Sequence, residues 1–235
     1  MAKAKTRIAP SCPEGGMVLE SLLNPAELDR IRAGLAGSPF RDGRVTAGFS
    51  ARRVKNNEQA RGDDPVVAEL ARTVRAALDQ HPVFQTLVRP IRWSNLMFSR
   101  YTEGHRYGLH TDDAAMLDES GYPFRTDVSF TVFLSDPDTY RGGALRILGR
   151  DGEGSFRPSA GTAVIYPTGL IHEVTPVTGG MRLACVGWVQ SSVRRADQRE
   201  LLFDLAAARR EVGESDAQLL LDKAIGNLLR MWAET

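Results

Sequence analysis

The chain has 235 residues, 42% of them apolar and 25% charged, and a net charge of +1. This is an ordinary globular balance, with length for one large domain or one domain with helical flanks. No polybasic block, acidic tail or apolar run of bilayer length is present, so the sequence carries neither a nucleic-acid footprint nor a membrane-spanning segment.

The first residues, 1–16, hold lysines but no apolar core behind them. They make a poor signal peptide and predict a loose leader on a cytoplasmic protein. Cys12 lies in this leader, and Cys185 lies in an apolar run that predicts a buried free thiol. Two such cysteines make no disulfide framework.

Asn24, Pro25 and Glu27 supply a cap residue, a proline at the first helical position and a glutamate three after the cap. Leu28, Ile31 and Leu35 then recur at helical spacing. A second helix begins after Asp64 and Pro65, carries Val67, Leu70, Val74 and Leu78 on one face, and ends near His81 and Pro82. His81 is therefore helix-end chemistry. Residues 95–101, 126–134, 144–148, 161–166 and 181–189 are β-branched or aromatic and bounded by Gly, Pro, Asp or Ser, which predicts strands. Val128, Phe130, Val132 and Leu134 alternate with small or polar residues, the pattern of a half-buried strand. After Ser192 the strand pattern stops. Residues 197–206 and 215–232 predict helices, the second with Leu219, Leu220, Ala224, Leu228 and Met231 on one stripe. Those helices would buttress the sheet, and the stripe is also a candidate homodimer contact. Short strands with punctuated turns predict a sandwich or barrel.

The expected fold class is α+β, with a double-stranded β-helix (jelly-roll, cupin-like) core and flanking helices at both ends. The expected division is a helical and β support region at 1–90, the catalytic core at 91–192 and a helical extension at 193–235, all one cooperative unit.

The chemistry concentrates in four residues. His110 and Asp112 are two apart, which on a strand puts both side chains on one face about 7 Å apart at the backbone. His172 follows a strand and a turn near the end of the β region, and Arg182 lies ten residues further on. Two histidines and a carboxylate are the ligand set of the facial triad that holds Fe(II) and leaves positions open. An arginine on the last strong strand can hold the distal carboxylate of a 2-oxo acid. Asp113 competes with Asp112 but faces the other side of a strand. His105, five residues before His110, is a decoy.

The chain resembles the Fe(II)/2-oxoglutarate-dependent dioxygenases, and more narrowly the bacterial PKHD-type hydroxylases. The likeness runs along nearly the whole chain, through residues 42–48, 54–57, 100–101, 107–108, 110–112, 125–129, 133–138, 142–145, 166–167, 172–177, 188–191, 197–203 and 227–232. It implies His110, Asp112 and His172 as iron ligands, Arg182 as the partner of the 2-oxoglutarate C5 carboxylate, and Tyr101 as a further 2-oxoglutarate contact. It implies Fe(II), 2-oxoglutarate and O₂ as cofactors, with L-ascorbate as a candidate reductant. Many relatives carry a serine two residues after the arginine, where this chain has Ala184.

The implied reaction is hydroxylation of an unactivated C–H of an amino acid, peptide or small metabolite, with succinate and CO₂ as co-products. Desaturation, epoxidation or ring closure with the same cofactors is one alternative, and a non-catalytic cupin-like binding protein is another. Retention of Asp112 argues against halogenation, since radical halogenases of this class vacate that position for chloride. Residues 114–123 read as a surface loop and a candidate lid, and Leu109 as a pocket or packing residue. Arg106, Arg125, Arg141 and Arg146 are candidate contacts for an acidic substrate.

Overall fold

The structure is a computed structural model that describes residues 13–150 and 152–234; Cys12 lies outside the described residues. Two β-sheets face each other. The larger is eight-stranded, in the spatial order Met17–Leu19, Ala163–Pro167, Val128–Phe133, Arg182–Ser191, Met97–Tyr101, Glu58–Ala60, Phe40–Asp42, with Pro90–Trp93 also pairing on Arg182–Ser191. The smaller is five-stranded: Gly152–Phe156, Leu145–Gly149, Ile171–Val174, Arg106–His110, Lys55–Asn56. This is the jelly-roll core expected, and all pairings within the two sheets are antiparallel.

The helices cover the outer face of the larger sheet. Helix α1 (Pro25–Gly37) starts where its cap predicts: the Asn24 side chain accepts from the Glu27 amide, and the Glu27 carboxylate accepts from the Asn24 amide. Helix α2 (Pro65–Gln80) is capped by Asp64. The chain does not stop at His81, however. A further helix, α3 (Pro82–Val88), begins there, with the Phe84 amide donating to His81 Nδ1. Proline ends one helix and opens the next, because its missing N–H costs nothing at a first turn.

Ile31, Leu35, Leu70, Val74 and Leu78 pack with Phe98, Phe130 and Val132 into the main core. Phe84 stands at its centre, 5.4 Å from Trp93 and 6.2 Å from Phe130 between ring centroids. It is fully buried, so Phe84→Ala is expected to lower unfolding free energy by about 3–5 kcal/mol. Urea denaturation followed by circular dichroism would measure this.

The half-buried reading of strand 128–133 needs correction, because every residue in it is buried. Val128, Phe130 and Val132 face the helices as their spacing predicts. The alternate residues Ser129 and Thr131 face the enclosed space between the sheets instead of solvent. Strand 182–191 has the same two faces, with Leu183, Cys185 and Val189 in the helix-side core. Cys185 is a buried free thiol, its pKa pushed upward by burial.

The C-terminal helices differ from expectation too. Helix α4 (Ala196–Glu211) packs on α3 and buries Leu202, whereas α5 (Asp216–Trp232) lies chiefly on α4 and buries no residue. Leu219, Leu220 and Met231 on its stripe are exposed, so α5 does not buttress the sheet. No helix among the described residues is long and apolar enough to cross a membrane.

Candidate active site

His110 is the last residue of strand Arg106–His110, and its Cα partner across the sheet is His172 of strand Ile171–Val174. The cross-strand pair sets the two imidazoles side by side, with ring centroids 4.3 Å apart. Each is aimed by its own backbone. His110 Nδ1 donates to the Gly108 carbonyl at 2.8 Å, and His172 Nδ1 donates to the Leu170 carbonyl at 3.0 Å. A carbonyl only accepts, so Nδ1 carries a proton and, in the neutral ring, Nε2 presents the lone pair.

Both lone pairs point at one carboxylate. Asp112 Oδ1 lies 3.7 Å from His110 Nε2, and Asp112 Oδ2 lies 3.6 Å from His172 Nε2. One donor atom from each residue falls within 4.8 Å of the others. Asp112 is not on the His110 strand, which ends at His110; the carboxylate reaches the imidazoles from the following loop. Two donors hold it there: Ser129 Oγ at 2.9 Å and Trp188 Nε1 at 2.8 Å, both to Oδ2. Burial and the adjacent His172 lower the His110 pKa, so that imidazole is neutral near pH 7. Two imidazoles and a carboxylate, each held by hydrogen bonds of its own, suit a divalent transition metal.

The three donors open onto a cavity between the sheets. Arg182 stands in its wall, buried, directly opposite Tyr101 in the strand register. Its guanidinium carbon lies 5.1 Å from the Tyr101 ring centroid and 4.9 Å from that of Phe133. Its Nε and Nη2 have no hydrogen-bond partner. A buried guanidinium with idle donors is costly unless an anion completes it. A carboxylate takes two of its parallel N–H groups at once. The cradle therefore fits the far carboxylate of a 2-oxo diacid.

Other candidates separate cleanly. Asp113 is exposed and outside the donor cluster; its carboxylate lies against Gly48, where even a Cβ would sit 2.6 Å from Oδ1. His105 accepts from the Thr102 amide in a turn. Leu109 is exposed, so it does not pack. Residues 115–125 form a hairpin, Ala115–Leu117 against Pro123–Arg125, not a plain loop, and Met116 lines the cavity. Arg125 is bound to Asp127 and Glu234, and Arg146 to Glu153 and Glu173. The sequence reading missed Ser129, Trp188 and Lys55. The small polar residues at alternate positions of an apolar strand were the available clue for Ser129.

Residues 96–190 match the family model of the 2OG-Fe(II) oxygenase superfamily. A PKHD-type hydroxylase of Picosynechococcus sp. is 44% identical over 92% of this chain and 98% of its own. Another, from Synechococcus elongatus, is 44% identical over 93% and 99%. The chain belongs to the PKHD-type hydroxylases. As such it is an Fe(II)- and 2-oxoglutarate-dependent oxygenase that uses O₂. Among solved structures, a Trichoplax adhaerens prolyl hydroxylase complexed with a hypoxia inducible factor peptide fragment shares the fold. Its TM-score is 0.58 at 16% identity, over 80% of this chain and 87% of that one.

Proposed function

We propose that this hydroxylase oxidises an unactivated C–H of an amino acid, peptide or small metabolite, with His110, Asp112 and His172 as its iron ligands. Arg182 takes the C5 carboxylate of 2-oxoglutarate, with Tyr101 walling the same end of the cavity. The observation that carries this reading is the meeting of three converged metal donors and one buried, incompletely bonded arginine in a single enclosed space. When bound, iron and 2-oxoglutarate supply the O₂-dependent oxidation that releases succinate and CO₂.

The residues of the chain bind, orient and enclose. The Gly108 and Leu170 carbonyls fix both histidine tautomers. Ser129 and Trp188 fix the carboxylate and draw on Oδ2, which leaves Oδ1 the freer oxygen for a metal. Tyr107 stacks on the His110 ring at 3.6 Å between centroids and limits its rotation. Ala184, where many relatives have serine, has Ser99 as its cross-strand partner. Facing residues of a strand pair share one face, so the Ser99 hydroxyl stands in the region the missing hydroxyl would have served.

Anaerobic titration with Fe(II) and 2-oxoglutarate tests the reading. A visible metal-to-ligand charge-transfer band is expected in the wild type and absent in His110→Ala. Bound iron without a band would sink it. The outer partners give a finer check. Trp188→Phe and Ser129→Ala are each expected to weaken Fe(II) binding by about 10–100-fold, measured by competition with a chelator, while the fold is retained.

A further inference from the structure

The cavity holds a second buried cation that the reading above does not use. Lys55, on the edge strand Lys55–Asn56, is 6% exposed and lines the same cavity as the three metal donors. Its Nζ donates to Thr46 Oγ1 at 3.1 Å and lies 5.0 Å from the Tyr107 ring centroid. The Thr46 hydroxyl donates in turn to Gln59 Oε1, and Gln59 Nε2 to Ser99 Oγ. This chain orients the lysine but does not neutralise it. Among the described residues no carboxylate lies within ion-pairing distance of Nζ. Asp112, across the cavity, and then Asp42 act on it from further off without pairing with it, and Asp42 is held by Arg44. An ammonium has three N–H donors, and here one is used.

Burying such a group is unfavourable, and its pKa is correspondingly lowered to about 8. An apolar residue would fill the position without that cost, so packing alone does not account for it. Charge balance points the same way. In the loaded site Fe(II), Arg182 and Lys55 carry four positive charges against three on Asp112 and the dianionic co-substrate. One further anion neutralises it. The neighbouring surface is also cationic: a depression that Lys55 helps to line carries Arg44, Arg52, Arg53 and Arg106. Of these, Arg52, Arg53 and Arg106 are exposed and form no ion pair among the described residues. Such a field draws anions toward this face of the protein.

We propose that Lys55 is the anchor for a carboxylate on the substrate to be oxidised, which makes that substrate a carboxylate-bearing amino acid, peptide terminus or metabolite. This rests on the Fe(II) and 2-oxoglutarate reading of the same cavity. Seating an anion on Lys55 uses its free donors, and the Thr46–Gln59–Ser99 chain fixes the direction from which the substrate reaches the metal.

The chain has four lysines, Lys3, Lys5, Lys55 and Lys223, so protein labelled with [ε-¹³C]lysine gives few signals, and Lys55→Met assigns the one that matters. With Zn(II) and saturating 2-oxoglutarate present, propionate is added as the smallest useful carboxylate and propionamide as its neutral match. The Lys55 signal is expected to move saturably with propionate, half-maximal on the order of 10 mM, to stay in place with propionamide, and to leave the other lysines unmoved. A Lys55 signal that ignores propionate overturns the proposal. So does a Lys55→Met protein that loads 2-oxoglutarate more than about tenfold less tightly, since Lys55 would then serve the co-substrate. Failure of the underlying reading shows separately, as absence of any visible band in the wild-type Fe(II) titration, and takes this proposal with it.

Discussion

Asp112→Ala is expected to purify without iron and to form no succinate above background. The loss in Fe(II) affinity should exceed the roughly 10–100-fold that follows removal of an outer hydrogen-bond partner, because a ligand itself is gone. The geometry makes the carboxylate the keystone of the site. Its two oxygens are 3.7 and 3.6 Å from the two imidazole Nε2 atoms. Without it the two histidines remain but supply no negative charge. The fold is expected to persist, since the Ser129 hydroxyl keeps Thr168 Oγ1 as a partner and the loss leaves the Trp188 N–H unpaired, at about 1–3 kcal/mol. Asp112→Asn keeps an acceptor for those donors and removes the charge. If Asn restores stability but not iron, the role of the carboxylate is electrostatic and coordinative. Iron content by metal analysis, with circular dichroism beside it, distinguishes these results. Iron retained within about threefold of wild type would show that the three donors are not the metal centre.

Much of this was legible before any coordinate. The α1 start follows from Asn24, Pro25 and Glu27, because a capping box is a local bargain among neighbouring residues. His110, Asp112, His172 and Arg182 stand out because few histidines occur and their order is specific. What escaped was non-local. Asp112 was expected on a strand, but it lies beyond the strand end and is drawn to the imidazoles by Ser129 and Trp188, 17 and 76 residues away. Lys55 lies on a two-residue strand, too short for any periodicity, and its meaning comes from the absence of a nearby carboxylate, which no sequence displays. Helix α3 was missed because proline signals both a helix end and a helix start. The α5 stripe fits a sheet-facing surface or a dimer contact equally, because apolar spacing states only that a face is apolar and not what covers it.

Arg182→Met is expected to separate stability from function. In the wild type the guanidinium is 1% exposed with Nε and Nη2 unpartnered. Its flanking rings return some of the cost through cation–π contact, about 0.5–2 kcal/mol. Methionine fills similar space, keeps a favourable sulfur–aromatic contact and leaves no buried donor idle. Without 2-oxoglutarate, the variant is therefore expected to melt at or above the wild-type temperature. With Mn(II) and 2-oxoglutarate the order reverses. A ligand at 100 times its Kd adds about 2.7 kcal/mol to the wild type. The variant gains far less, because loss of a buried charged contact costs about 2–5 kcal/mol, or about 30- to 4,000-fold in Kd. Arg182→Lys should fall between, since it keeps the charge and loses the planar fork. Melting curves across a 2-oxoglutarate series should thus cross for wild type and Arg182→Met. Parallel curves would mean that the co-substrate does not seat on Arg182. A variant that is markedly destabilised without ligand would mean that the guanidinium is there to hold the sheet together.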